Sequence, residues 1–129
     1  MAIVMLLLNA CGTPTSVIMS DCWHSFRVAA WQDLNGDGLW GADELPLKGV
    51  KFDPQGPIME VDSSLISKSD GFLEITVYHS GGCFRETYTI TAEPPDSYKP
   101  TTPLSVTFTL NSNESVFEAQ FGFRPVSNK

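Results

Sequence analysis

The sequence of 129 residues predicts an all-β fold, a sandwich of two antiparallel sheets. Short segments alternate apolar and polar residues with a period of two, and Gly, Pro and Asp separate them. No window longer than a turn shows a convincing period of 3.6 residues, so amphipathic helices are not expected. Six or seven short strands suit a sandwich, because two facing sheets bury one apolar side of each strand.

Six segments show this alternation, and threonine fills many of their polar positions. In "ETYTITAE", for example, Tyr88, Ile90 and Ala92 alternate with threonines. Aromatic and β-branched residues fit the pleated, half-buried surface of a sheet. The predicted strands are residues 25–31, 49–56, 71–78, 86–93, 104–110 and 115–123.

Composition and charge limit the class of protein. Hydrophobic residues make up 42% of the chain and charged residues 18%, which predicts a folded chain with one core. The net charge is −7, and the eight Lys and Arg residues form no cluster. Because nucleic acid and anionic membrane surfaces repel a chain of this charge, we expect neither as a partner.

The N-terminal segment, residues 1–10, reads "MAIVMLLLNA" and carries no charge. Its apolar run is too short to span a bilayer and is typical of a secretion signal. The sequence "LNAC" at residues 8–11 resembles the lipobox of bacterial lipoproteins, in which the cysteine is lipidated. We therefore expect an exported protein. If Cys11 is lipidated, the lipid is its only attachment to a membrane and residues 11–24 form a tether; without lipid, the protein is secreted. A buried N-terminal strand is the alternative for the same run.

The cysteine count is consistent with lipidation. Three cysteines leave an odd one in an exported protein. If Cys11 carries lipid, Cys22 and Cys83 remain, and we predict a disulfide between them. Two unrelated buried thiols are the alternative, since free cysteine is often buried.

The segment "DLNGDGLWGADE", residues 33–44, has the spacing of a twelve-residue calcium loop. Asp33, Asn35, Asp37 and Glu44 occupy loop positions 1, 3, 5 and 12, where side-chain oxygens surround a hard cation. Such loops usually join helices, but the flanking sequence here predicts a strand on each side. The alternative is an Asp/Asn/Gly turn that binds no ion. Binding is favoured because three crowded carboxylates repel one another without a cation.

Four stretches together resemble one family, the B-type domain of serine-aspartate repeat surface adhesins. They occur in the family's order between residues 25 and 126. The resemblance implies a Greek-key β-sandwich of about seven antiparallel strands over residues 25–126, related to collagen-adhesin B domains and transthyretin-like folds, with 127–129 as a tail. The stretches are "VAAWQDLNGDGLWGADELPLKGVKF" (28–52), "SKSDGFLEI" (67–75), "PPDSYKPTTPLSVTFTL" (94–110) and "FGF" (121–123).

The same resemblance implies a full ligand set for Ca²⁺. Asp33, Asn35, Asp37 and Glu44 supply side-chain oxygens, and Leu39 supplies its backbone carbonyl. Where the family often has an acid at loop position 9, this chain has Gly41, so water is the expected ligand there. The alternatives for Asp43, two residues later, are that it replaces the missing acid or that it faces solvent.

The expected function is structural and not enzymatic. The resemblance implies a calcium-stabilised spacer or adhesion module at the cell surface, whose partner is an unidentified protein or glycan. No stretch carries a recognisable nucleophile with its base and orienting group. The alternative function is a carbohydrate- or peptide-binding module, in which exposed aromatic rings stack on the ligand. The candidates for such stacking are Trp23, Trp40 and Tyr98.

Overall fold

The structure, a computed structural model, describes residues 22–56, 65–79, 84–111 and 117–127. These residues form seven strands, and none of them lies in a helix long and apolar enough to cross a membrane. The predicted all-β sandwich is therefore confirmed. The strands are β1 (Cys22–Gln32), β2 (Lys51–Gln55), β3 (Phe72–His79), β4 (Glu86–Glu93), β5 (Tyr98–Pro100), β6 (Ser105–Leu110) and β7 (Glu118–Pro125).

Two sheets make up the sandwich, and successive strands alternate between them. One sheet has the order β3-β1-β7-β5 and the other the order β2-β4-β6. Every connection between consecutive strands therefore crosses from one sheet to the other, so no two consecutive strands form a hairpin. Residues far apart in the sequence become neighbours in each sheet.

The expectation of antiparallel pairing throughout is wrong for one pair. Strands β1 and β7 run parallel, in register from Arg27 opposite Glu118 to Gln32 opposite Phe123. Alternation of apolar and polar residues is the same in both kinds of pairing, so the pattern could not reveal this. A parallel pair needs a long connection, and here the five intervening strands provide it.

Strand β5 is the one that sequence periodicity missed. It spans only Tyr98–Pro100, too short for a period of two to be recognised, and it pairs with the last residues of β7. Strand β1 begins three residues before the predicted segment, and β7 ends two residues after it.

The core lies between the sheets and is formed by the inward side of each strand. Phe26 of β1 contacts two rings of the opposite sheet, Tyr88 and Phe108, with ring centroids 5.4 Å apart in both pairs. Phe52 and Phe121 form a similar pair at 5.8 Å. The other buried members are Val28, Ala30, Leu47, Val50, Ile75, Val77, Ile90, Ala92, Leu110, Ala119 and Phe123.

Threonine pairs cover the outer side of the three-stranded sheet, as the alternation predicts. Hydroxyl groups of β4 and β6 face each other across the ladder at hydrogen-bond distance. Such cross-strand pairs stabilise a sheet at its solvent side. The pairs are Thr87–Thr109 at 2.9 Å, Thr89–Thr107 at 2.9 Å and Thr91–Ser105 at 2.8 Å.

One buried polar connection joins the two sheets where β1 begins. The Tyr88 hydroxyl donates its only proton to Glu86 Oε2 at 2.8 Å. The His24 Nδ1 atom, 2.9 Å from the same hydroxyl, must therefore be the donor in that second bond. His24 and Tyr88 are both fully buried, so the connection is structural and inaccessible to a substrate.

We predict that Tyr88 makes the fold sensitive to alkali. Burial first, and then the Glu86 carboxylate, raise the pKa of Tyr88 far above its usual value. The protonated phenol is favoured in the folded state, so this stabilisation is complete below about pH 10, the unfolded pKa, and is lost as the pH rises further. The free energy of unfolding, measured in urea from pH 8 to pH 11.5, should fall.

Two variants separate Tyr88 from the other tyrosines. Tyr88→Phe should lose about 1–3 kcal/mol at neutral pH, because His24 loses an acceptor, and should show a weaker decline with pH. Tyr98→Phe, the matched control at the half-buried residue of β5, should keep the wild-type decline. A decline of equal steepness in wild type and Tyr88→Phe would contradict the assignment.

Candidate metal centre

The loop of residues 33–44 leaves β1 and is fixed to the sheet at both ends. At its start, the Asp33 amide donates to the Phe123 carbonyl of β7 at 2.7 Å. At its end, the Gln32 amide donates to the Leu45 carbonyl at 2.8 Å, and Leu47 donates to Ala30 at 2.9 Å. The chain thus returns along β1 before it reaches β2. As predicted, the loop joins two strands.

Asp33, at loop position 1, has a carboxylate completely enclosed by the protein. Its Oδ1 atom accepts a hydrogen bond from the Gly36 amide at 2.8 Å. Its Oδ2 atom accepts from the Gly38 amide at 2.9 Å and from the Thr101 hydroxyl at 2.5 Å. These donors, together with the Asp37 amide, replace the water that this charge has lost.

These hydrogen bonds keep Asp33 ionised in spite of its burial. Burial alone would raise the pKa of Asp33. The hydrogen bonds from Thr101, Gly38, Gly36 and Asp37 together outweigh burial and hold the pKa below its usual value. The site consequently contains a buried negative charge at neutral pH.

Two glycines give the loop the turns that wrap it around Asp33. Gly36 and Gly38 have φ angles of 73° and 75°, a region that side-chain-bearing residues rarely adopt. Each directs its amide at the Asp33 carboxylate. The sharp turn predicted at Gly38 is confirmed.

Glu44, at loop position 12, turns back towards the beginning of the loop. Its Oε1 atom accepts from the Leu34 amide at 3.1 Å, and its Oε2 atom accepts from the Gly41 amide at 2.9 Å. A side chain at Gly41 would meet only the Glu44 carboxylate, at 3.7 Å, so loop position 9 is open.

Three of the predicted ligands come together in space. Asp33, Asp37 and Glu44 each offer a carboxylate oxygen, and these oxygens lie within 4.8 Å of one another. Asn35 adjoins the group, because its Nδ2 atom donates to Asp37 Oδ2 at 3.0 Å. The Leu39 amide donates to Asp37 Oδ1 at 2.8 Å, which places its backbone beside the same carboxylate.

The donor set fits a hard divalent cation. The three converging atoms are all carboxylate oxygens, a kind of ligand that Ca²⁺ prefers. Carboxylate oxygens this close repel one another, so a cation between them would remove an unfavourable interaction.

The aromatic ring of Trp40 packs the loop against the outer side of the four-stranded sheet. It lies parallel to Trp31 of β1, with centroids 5.9 Å apart and an interplanar angle of 7°. It also contacts Phe72 of β3 at 5.3 Å, and its Nε1 atom donates to the Glu44 carbonyl at 3.1 Å. The loop is therefore part of the packed fold.

This packing changes the interpretation of the three candidate stacking aromatics. Trp40 and Tyr98 are half-buried, and Tyr98 packs against the core between the sheets. Each covers apolar residues of its own fold. Trp23 is mainly exposed, at 63%.

Sequence reasoning missed two residues of the site, Thr101 and Gly122. Thr101 lies between β5 and β6 and bonds Asp33, 68 residues away. Gly122 lies in β7, where a Cβ atom would be 2.7 Å from Thr101 Oγ1, 2.8 Å from Trp31 Cζ2 and 3.1 Å from Asp33 Cβ. Both belong to stretches that carry the family resemblance, which was the available signal, but only the fold shows what they contact.

The predicted lipidation and disulfide involve residues outside the described part of the chain. Cys11 and Cys83 both lie there, as do the segment 1–10 and most of the tether. Cys22 is the first residue of β1, opposite His79 at the end of β3. The Cys22–Cys83 disulfide stays a prediction.

Comparison with models of known protein families and with characterised proteins yields no match to this chain. The likeness to adhesin B-type domains therefore rests on the motifs of the sequence alone.

We predict that Gly122→Ala destabilises the fold by about 1–3 kcal/mol, the usual range for overpacking. The added methyl group would lie 2.7 Å from Thr101 Oγ1 and 2.8 Å from Trp31 Cζ2, and Trp31 is fully buried. Urea unfolding in calcium-free buffer measures the effect.

Gly41→Ala provides the control for this measurement, because its methyl group would make only an ordinary contact with Glu44 at 3.7 Å. It should change the free energy of unfolding by less than about 0.5 kcal/mol. Equal stability of the two variants would show that Gly122 has no steric role.

Proposed function

We propose that the protein is a non-catalytic, calcium-stabilised β-sandwich module that serves as a spacer or adhesion element at the cell surface. The observation that carries the proposal is the convergence of Asp33, Asp37 and Glu44 within 4.8 Å on a loop fixed into the sheet. Calcium-stabilised modules of this kind are what the resemblance to adhesin B-type domains implies.

The proposed Ca²⁺ would be held by Asp33, Asn35, Asp37 and Glu44, with the Leu39 carbonyl. When bound, the ion would supply positive charge that offsets the repulsion among the carboxylates. Gly41 leaves loop position 9 without a side chain, and water would complete the coordination there.

Binding would act on the fold because of what the loop touches. The Asp33 amide bonds β7, its carboxylate bonds Thr101 beyond β5, and Trp40 covers residues of β1 and β3. An ion bound in the loop would therefore act on β1, β3, β7 and the connection that follows β5. A role in rigidity suits a spacer.

The location at the cell surface is proposed from the N-terminal sequence. An apolar segment followed by "LNAC" would direct export and leave lipid on Cys11. Since the net charge of −7 disfavours anionic membrane surfaces, lipid would be the means of attachment. The partner would be a protein or a glycan.

The alternative function, recognition of a carbohydrate or peptide, needs exposed aromatic rings that share one face. Of its three candidates, Trp23 is mainly exposed, whereas Trp40 and Tyr98 are half-buried against other residues of the fold. This arrangement favours the structural role over the alternative.

Calcium should stabilise the protein by an amount that rises with the logarithm of the free Ca²⁺ concentration above Kd. At free Ca²⁺ a hundredfold above Kd, the gain is about 2.7 kcal/mol, which appears as a higher melting temperature than in chelator. Glu44→Gln and Asp37→Asn should lose this gain, because each removes a converging carboxylate charge.

Asp43→Asn is the matched control, since Asp43 is an exposed neighbouring acid outside the converging group. It should keep the response to calcium. Coincident melting curves with millimolar calcium and with chelator would rule out a calcium site in the wild-type protein.

Lipid on Cys11 should make the full-length protein partition into the detergent phase. More than one acyl chain is enough for stable anchoring, so Cys11→Ser should release the protein as soluble material. Cys22→Ser is the control and should still partition. Mass spectrometry of the mature N-terminus decides the matter, and an unmodified Cys11 would contradict the prediction.

A further inference from the structure

We infer that Thr101 is a positioning residue of the calcium site, which holds the Asp33 carboxylate in place through a hydrogen bond to Oδ2. This inference rests on the proposed function, because it concerns the same site. The likeness to calcium loops identifies only ligands inside residues 33–44, whereas Thr101 belongs to the connection between β5 and β6.

The inference follows from the hydrogen bonds that the Asp33 carboxylate accepts. A carboxylate has about four acceptor positions, two on each oxygen. Both positions on Oδ2 are taken, one by the Gly38 amide at 2.9 Å and one by the Thr101 hydroxyl at 2.5 Å. The Oδ1 atom accepts from the Gly36 amide at 2.8 Å. Among the described donors to this carboxylate, Thr101 is the one that lies outside the loop of residues 33–44.

Thr101 can act in this way because its own position is fixed. Its amide donates to the Gly122 carbonyl at 2.9 Å, which ties the connection to β7. The missing side chain of Gly122 leaves the space in which the Thr101 hydroxyl lies, since a Cβ atom there would be 2.7 Å from Thr101 Oγ1. The hydroxyl is therefore placed by β7, which does not belong to the loop.

The neighbouring hydroxyl of Thr102 makes a contrasting interaction. It accepts a hydrogen bond from the Gly122 amide at 3.0 Å. Loss of the Thr102 hydroxyl therefore weakens the same junction with β7, while the hydrogen bonds to the Asp33 carboxylate remain. Thr101 thus bonds the metal ligand Asp33, whereas Thr102 bonds only the backbone of β7 at Gly122.

A purely structural role for Thr101 makes a different prediction from a positioning role. If Thr101 only joins the connection to β7, its loss would lower the stability of the calcium-free protein and leave the calcium affinity unchanged. If it positions Asp33, its loss frees an acceptor position on Oδ2, and the carboxylate can rotate away from the geometry that the ion requires. Groups that orient metal ligands typically alter affinity by about 10- to 100-fold.

The test is calorimetric titration of Ca²⁺ alone into the full-length chain, for wild type, Thr101→Val, Thr101→Ser and Thr102→Val. We expect Thr101→Val to raise Kd by about 10- to 100-fold. Thr101→Ser restores the hydroxyl and should bind close to the wild-type value. Thr102→Val should melt earlier than wild type in chelator but keep the wild-type Kd. Thr101→Ala, which lacks both the hydroxyl and the added methyl group, replaces Thr101→Val if circular dichroism shows that the latter is unfolded.

The outcomes separate this inference from the proposed function. Binding by wild type together with an unchanged Kd in the hydroxyl-free Thr101 variant would overturn the positioning role and leave the calcium site standing. An equal rise in Kd for Thr102→Val would show that the effect comes from the contact of this connection with β7. That result would also overturn the positioning role of Thr101. Absence of binding by the wild-type protein would overturn both.

Discussion

The enclosed carboxylate of Asp33 is the constraint around which one end of the sandwich is organised. Removal of a charge from water costs several kcal/mol unless hydrogen bonds replace the lost solvation. Here the replacements come from Gly36, Gly38 and Thr101, so the loop conformation and the position of the β5–β6 connection are set by the same group. The amide of Asp33 adds the bond to β7.

The loop also explains why the end of β1 is buried on both sides. Ala30 faces the core between the sheets, whereas Ala29 and Trp31 point to the outer side, and all three are fully buried. The outer side would be exposed if Trp40 did not cover it together with Phe72. Burial of these rings contributes to stability whether or not an ion is bound, since aromatic pairs add about 0.5–1.5 kcal/mol beyond area burial. An ion would therefore stabilise a loop that packing already holds in place.

The sequence by itself determined the features that depend on neighbours along the chain. Six of the seven strands follow from alternation with a period of two, because side chains of a strand point to opposite sides in turn. The convergence of Asp33, Asp37 and Glu44 follows from their spacing in a loop with glycine turns at Gly36 and Gly38. Both signals are local, so a single sequence was sufficient to predict them.

Only the tertiary structure decided what meets across the sheets. Parallel pairing of β1 with β7, and the three-residue strand β5, have no periodic signal of their own. The bond from Thr101 to Asp33 spans 68 residues, and the need for glycine at position 122 arises from side chains of two other segments. Trp40 could be recognised from the sequence as a large aromatic residue, but its use as a cover for Trp31 depends on how the loop folds back. These features depend on long-range contacts, which alternation and spacing along the chain do not encode.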